Sequence, residues 1–187
     1  MTTLSNEKAY CMSSSTGPIP DSSQPCRLSR DFDLLRHSGL LGGVNLDMVK
    51  LFAYLSTRRS YRAGDRLIDQ GQKADGAFIL ISGSVDLMVR HRDQEITLQP
   101  LKKDDFFGEL ALLAQFDWFF SVRAATDVEV LVISRHAFQK VIEKFPSEKD
   151  VLIERVIQLR VSRLVGQTSY MLDRFVSADE PLATSLI

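Results

Sequence analysis

The stretch FFGELALLAQFDWFFSVRAAT, residues 106–126, decides how the rest of this chain reads. Gly108-Glu109 stands near its start and Arg123-Ala124-Ala125-Thr126 closes it. Leu110, Leu112 and Leu113 follow the glycine at a spacing that predicts one turn of helix. Glycine lets the backbone approach a neighbour closely or take a dihedral that other residues avoid. Glu109 falls just inside the turn, where exposed backbone N–H groups favour negative charge. Such a turn suits a small anionic ligand that also offers a hydroxyl to Glu109.

Outward from that stretch the chain is rich in short strands. Residues 61–65 hold a turn before Leu67 and Ile68, and residues 69–71 hold another. Ala77, Phe78, Ile79, Leu80 and Ile81 predict an apolar strand, interrupted by Ser82-Gly83-Ser84. Val85, Leu87 and Val89 then alternate, residues 91–94 make a polar tip, and Ile96, Leu98 and Leu101 resume the alternation. On the far side Val128, Val130 and Val132 alternate again, with Leu131 and Ile133 between them. Short strands cornered by Gly64, Gly71, Gly83 and Gly108 predict a closed or sandwiched antiparallel barrel.

Helices flank this region. Phe32, Leu34, Leu35, Leu40 and Leu41 precede a break at Gly42-Gly43, and Asn45 is placed to cap a helix carrying Met48, Val49, Phe52 and Leu55. Arg58 and Arg59 read as the solvated end of that helical subdomain. Ser134 is placed to cap a helix with Phe138, Val141, Ile142 and Phe145 on one side, and Pro146 ends it. A long helix is expected over residues 147–176, roughly 40 Å at 1.5 Å per residue, more than a small barrel needs as cover. Packing against a second copy is the expected use of its surplus apolar stripe, with Ile153, Ile157, Leu164, Met171 and Phe175 on the seam. The alternative is a helix folded back on its own domain. The expected organisation is therefore a flexible leader over 1–30, a domain over 31–146, a dimerisation or lid helix over 147–176, and a tail over 177–187.

Composition bounds the rest. The 187 residues are 44% hydrophobic and 25% charged with a formal net charge of -1, the balance of a soluble globular protein. Near-neutral charge gives no bulk case for nucleic acid. No apolar run is long enough to span a membrane, and the N-terminus lacks the pattern of a secretory signal. Cys11 and Cys26 both lie in the polar leader and read as free thiols. A cytoplasmic setting is expected. His37, His91 and His136 are dispersed, with no metal-ligand spacing and no nucleophile constellation. No enzyme activity, metal or cofactor is expected.

Taken together, the glycine corners, Gly83-Ser84-Val85, Phe107-Gly108-Glu109-Leu110-Ala111-Leu112 and Val122-Arg123-Ala124-Ala125-Thr126 resemble the cyclic nucleotide-binding domain family. The resemblance covers about residues 34–176. It implies a mainly β fold with helices: an antiparallel double-stranded β-helix (jelly-roll) barrel flanked by N-terminal helices and a long C-terminal helix. It also implies a phosphate-binding cassette whose backbone N–H groups and arginine take a cyclic phosphate, and whose glutamate takes the ribose hydroxyl. On that basis Gly108, Glu109, Leu110, Arg123, Val85 and Leu98 are the candidate ligand residues.

One part of the family pattern is missing. The cassette arginine usually follows the cassette glycine at positions where this chain has Trp118 and Phe119. Arg123 matches a different basic position, further along the strand and pointing away from the phosphate. A cyclic phosphate without its fork-shaped cation faces only neutral donors. The expectation is a regulatory or protein-interaction module that does not bind cyclic AMP or cyclic GMP in the family manner. Trp118, Phe119 and Phe120 then fill the pocket or meet a protein partner. The alternative is a receptor for a cyclic nucleotide or cyclic dinucleotide that uses another phosphate contact. Only residues 177–187 follow the long helix, too few for a helix-turn-helix, so no DNA binding is expected.

Overall fold

The computed structural model describes residues 24–92 and 94–177. The described residues form four α-helices and eight strands: α1 (Gln24–Arg36), α2 (Leu46–Leu55), β1 (Thr57–Tyr61), β2 (Arg66–Ile68), β3 (Gly76–Ser82), β4 (Ser84–His91), β5 (Gln94–Lys102), β6 (Phe106–Phe107), β7 (Ser121–Ala124), β8 (Val128–Ser134), α3 (Arg135–Lys144) and α4 (Lys149–Ser177). A 3-10 turn, Glu109–Leu112, stands between β6 and β7. Cys11, most of the leader and the tail lie outside the described residues. Residues 24–30, placed in the leader on composition, are the first part of α1.

The two predicted caps form as the sequence suggests. Asn45 Oδ1 accepts a hydrogen bond from the Asp47 amide at 2.8 Å and starts α2. Ser134 Oγ accepts from the Ala137 amide at 3.1 Å and starts α3. Arg58 departs from its expected place. It lies in β1 rather than at a helix end, and its guanidinium pairs with Asp31 of α1 at 2.6 Å and Glu129 of β8 at 3.1 Å. The hydrogen bond to Asp31 is the main cause that raises its pKa above the usual arginine value.

The jelly-roll barrel is overturned. The strands form two four-stranded antiparallel sheets, ordered β1-β8-β3-β6 and β2-β7-β4-β5, and among the described residues no ladder joins one sheet to the other. Closing a sheet requires a ladder at its free edges. Here β6 offers two residues and β2 three, and β5 pairs with β4 alone. The period-2 pattern located the strands, but inward-facing alternation is the same in a barrel and in two stacked sheets.

The layers follow from burial. The first sheet is covered on both faces, which explains why β3 reads as a continuous apolar run and why Leu131 and Ile133 are buried between the alternating valines of β8. One of its faces presents Ala77, Ile79, Leu131 and Ile133 to the helices, against Met48, Phe52, Phe138, Val141, Leu152 and Val156. Its other face presents Phe78, Leu80, Val128, Val130 and Val132 to the second sheet, against Ile68, Val85, Leu87, Val122 and Ala124. Phe52 and Phe138 meet with ring centroids 6.1 Å apart, and burying each such side chain contributes about 1.5–3 kcal/mol. In contrast, β5 is exposed along nearly its whole length. Its pairing skips Leu98, because Met88 stands opposite Thr97 and Leu87 opposite Gln99. That bulge breaks the alternation predicted for Ile96, Leu98 and Leu101.

Candidate ligand-binding site

The site predicted around Gly108 is assembled by three segments: β6 with the 3-10 turn, the loop that leads into β7, and α4. Gly108 adopts φ 81°, the left-handed conformation that suits glycine. A Cβ there would stand 2.8 Å from Cη2 of Trp118 and 3.1 Å from the Gly76 carbonyl oxygen. The position is therefore reserved for glycine by its dihedral and also by the indole packed over it.

The indole is buried. Trp118 is 4% exposed and joins the cluster between the two sheets with Val85, Phe107, Ala111 and Val122. Its backbone is tied on both sides: the Trp118 amide donates to the Gln72 carbonyl at 2.7 Å, and the Gly71 amide donates to the Trp118 carbonyl at 2.7 Å. Just before it, the Ala74 amide donates to the Phe116 carbonyl at 2.8 Å. These bonds and a bridge between Lys73 and Asp117 hold residues 116–118 against residues 71–74, and the chain bends at Phe119 and Phe120. Trp118 and Phe120 go inward, Phe116 is half-buried, and Asp117 and Phe119 face solvent. The Trp118 ring meets Phe116 edge-on at 5.3 Å and Phe120 at 5.2 Å. Phe119 is 55% exposed and leans edge-on against Phe120 at 4.7 Å.

Glu109 is 3% exposed, yet its partner lies far away in the chain. Arg163 of α4 donates from Nη1 to Glu109 Oε2 at 2.8 Å. The second arm of the same guanidinium, Nη2, donates to the backbone carbonyl of Phe106. A second arginine braces the other end of the turn. Arg135, the first residue of α3, donates from Nε to the Ala111 carbonyl at 2.7 Å and from Nη2 to the Ala74 carbonyl at 2.9 Å, and also reaches the Ala114 carbonyl. Neither arginine stood out in the sequence, because each is one basic residue among several on an amphipathic helix.

The remaining candidates separate. Val85 is fully buried between the sheets, whereas Leu98 is 51% exposed on the open strand. Leu110 is half-buried. Arg123 lies on β7 between the buried Val122 and Ala124, so it points to the outer face of the second sheet, in register with Asp86 of β4 and Arg66 of β2. It does not approach Glu109 through any described contact. Two surface clefts, of about 740 and 470 Å³, open elsewhere: one between Lys73, Phe116, Asp117 and Arg135, the other between Tyr61, Arg62, Asp65 and Asp127. Neither is lined by Gly108, Glu109 or Trp118.

The long helix has two different halves. Leu152 and Val156 are fully buried against the helical core, and Arg155 donates to the carbonyls of Leu40 and Gly42. Ile153 is half-buried. Ile157, Val161, Leu164 and Met171 are 49%, 51%, 53% and 51% exposed, as are Val165 at 59% and Leu172 at 41%. Phe175 falls within α4, but its side chain lies outside the described residues.

The sequence and the fold match known proteins. Residues 58–145 match the cyclic nucleotide-binding domain family. The cAMP-dependent protein kinase regulatory subunit of Eremothecium gossypii is 32% identical over 111 residues, 59% of this chain and 23% of that protein. The cAMP-activated global transcriptional regulator CRP of Escherichia coli is 33% identical over 121 residues, 59% of this chain and 55% of the regulator. The chain thus spans about a quarter of the first relative and about half of the second. A solved cyclic nucleotide-binding-like protein from Brucella abortus superposes with a TM-score of 0.56 at 31% identity, covering 61% of this chain and 98% of that one. The chain belongs to the cyclic nucleotide-binding domain family, and its matched domain is a non-catalytic, regulatory one. Among the described residues, no helix is long and apolar enough to cross a membrane.

Proposed function

We propose that this chain is a dimeric regulatory or protein-interaction module whose cyclic nucleotide site is filled by its own side chains. In this reading it does not bind cyclic AMP or cyclic GMP in the family manner. The observation that carries the reading is Trp118, buried at 4% and packed over Gly108. Trp118 and Phe119 stand where the family keeps the arginine that holds the cyclic phosphate. An indole supplies neither a positive charge nor a fork of donors, and its volume takes the space a ligand needs. Losing a charge-assisted partner weakens binding by roughly 2–5 kcal/mol, or tens to thousands of fold. Arg123 does not replace it, since it faces outward from the second sheet. The exposed ring of Phe119 is a candidate contact for a protein partner. The exposed stripe of α4, with Ile157, Leu164 and Met171, is the candidate homodimer seam.

Isothermal titration of the purified chain with cyclic AMP, cyclic GMP and cyclic dinucleotides tests the reading. No heat of binding is expected at ligand concentrations up to about 1 mM, the weak limit of specific recognition. Micromolar binding of any of the three, abolished by Glu109→Ala, would overturn it and establish a receptor with an unusual phosphate contact.

A further inference from the structure

The cleft of about 740 Å³ lies between three segments: residues 73–75, residues 115–117 and the start of α3. Its size falls in the range of small-molecule sites. Arg135 builds it. The Arg135 amide donates to the Asp75 carbonyl at 2.7 Å, and Nη2 donates to the Ala74 carbonyl at 2.9 Å and to that of Ala114. Nε donates to the Ala111 carbonyl at 2.7 Å. One residue thus ties α3 to both other walls. All these acceptors are neutral. Among the described residues no carboxylate pairs with this guanidinium, and Nη1 has no acceptor. No buried side-chain nitrogen is left without a partner, so Nη1 is open to water. The guanidinium is a half-buried cation, held in place by its other arms and with one pair of donors to spare. Such a group suits a carboxylate or a phosphate.

The charges on the walls choose between the two. Lys73 and His136 are exposed along the cleft, and so are Asp75 and Asp117. None of the four forms an ion pair among the described residues. A dianion here would face two carboxylates, whereas a ligand with one carboxylate and one ammonium meets both signs. Phe116 adds a half-buried ring against which an apolar group can pack. We propose that this cleft binds a small zwitterion of amino-acid type. Its carboxylate meets Arg135 Nη1 and Lys73, its ammonium meets Asp75 or Asp117, and its side chain packs on Phe116. The inference goes beyond the filled site, since Gly108, Glu109 and Trp118 do not line the cleft. The two places are nevertheless neighbours. Phe116 lies edge-on to Trp118 at 5.3 Å, so an occupant that shifts the Phe116 ring changes the surroundings of the indole.

Trp118 is the only tryptophan in the chain, so its emission reports on the cleft through Phe116. Titration of the full chain with L-phenylalanine at constant ionic strength should change that emission saturably, with a midpoint at or below about 1 mM. Backbone amide shifts of residues 73–75, 115–117 and 135–139 should move with the same midpoint. The analogue 3-phenylpropionate lacks the ammonium, and 2-phenylethylamine lacks the carboxylate. Each should bind about fivefold more weakly or worse. Arg135→Gln would also release the walls, so the decision rests on Lys73→Gln and Asp117→Asn, which alter exposed side chains. Each should weaken binding about three- to tenfold and leave the denaturant midpoint in place. Glycyl-phenylalanine separates the sources of the zwitterion: tighter binding than phenylalanine assigns the cleft to a short peptide, weaker binding to the free amino acid, and both uphold the site. Absence of any saturable change up to about 50 mM phenylalanine, far above the weak limit of specific recognition, would overturn the proposal. So would unchanged affinity in both Lys73→Gln and Asp117→Asn, or tighter binding of inorganic phosphate than of phenylalanine.

Discussion

The two ends of residues 106–126 are satisfied by opposite means. At the Glu109 end a buried charge is neutralised by Arg163, which arrives from a helix formed much later in the chain. At the Trp118 end an apolar ring is buried by Phe116 and Phe120 beside it and by Val85, Phe107 and Val122 of the two sheets, with its backbone bonded to residues 71–74. The first end takes its partner from a distant helix. The second buries its ring among neighbours in the segment and residues of both sheets. The lesson is that a charge and an apolar ring on one short stretch are buried by different partners: Arg163 pairs with Glu109, and Trp118 packs over Gly108.

The contrast can be broken most forcefully at Trp118. Trp118→Ala should cost about 3–5 kcal/mol in denaturant unfolding, the range for removing a buried large aromatic. A loss below about 1 kcal/mol would mean that the indole does not hold this end together. Next in size is Gly108→Ala, expected to cost about 1–3 kcal/mol because the new side chain meets both a φ of 81° and the indole. The double variant Gly108→Ala/Trp118→Ala should cost less than the sum of the two, since removing the indole clears the space that the alanine methyl needs. Strict additivity would show that the dihedral alone sets the glycine requirement.

At the other end, Arg163→Met should lower global stability by only about 1 kcal/mol, because the guanidinium is partly exposed and the first part of α4 keeps its own apolar anchors. A loss as large as that of Trp118→Ala would erase the difference between the two ends. Smallest of all, Leu164→Lys should shift the monomer's unfolding free energy by no more than about 0.5 kcal/mol. Sedimentation should nevertheless show loss of the proposed dimer. A Leu164→Lys chain that sediments like the wild type would remove Leu164 from the seam.

Much of the fold was legible because it is written in local periodicity. The apolar run at 77–81, the alternation at 128–132 and the caps at Asn45 and Ser134 each depend on residues within a few positions of one another. Sheet membership was not legible, since inward-facing residues alternate identically in a barrel and in two stacked sheets. Leu98 is exposed with nearly the whole of β5, an edge strand that pairs with β4 alone, and a bulge at Leu98 also breaks its register. Arg58 was assigned to a helix end, yet its role depends on Asp31 and Glu129, distant residues that only the folded chain brings to it.

For the site, the sequence by itself determined that a glycine-initiated turn carries an acid, and that aromatic side chains occupy the positions after it. Those statements concern which residue types stand at which short spacing. Only the tertiary structure decided that Trp118 lies inward while Phe119 lies outward, that Arg123 faces away, and that Arg135 and Arg163 brace the turn. The physical reason is reach. A guanidinium on a helix can pair with any acceptor that folding carries within about 3 Å of it, and no pattern in its own neighbourhood records which acceptor that will be.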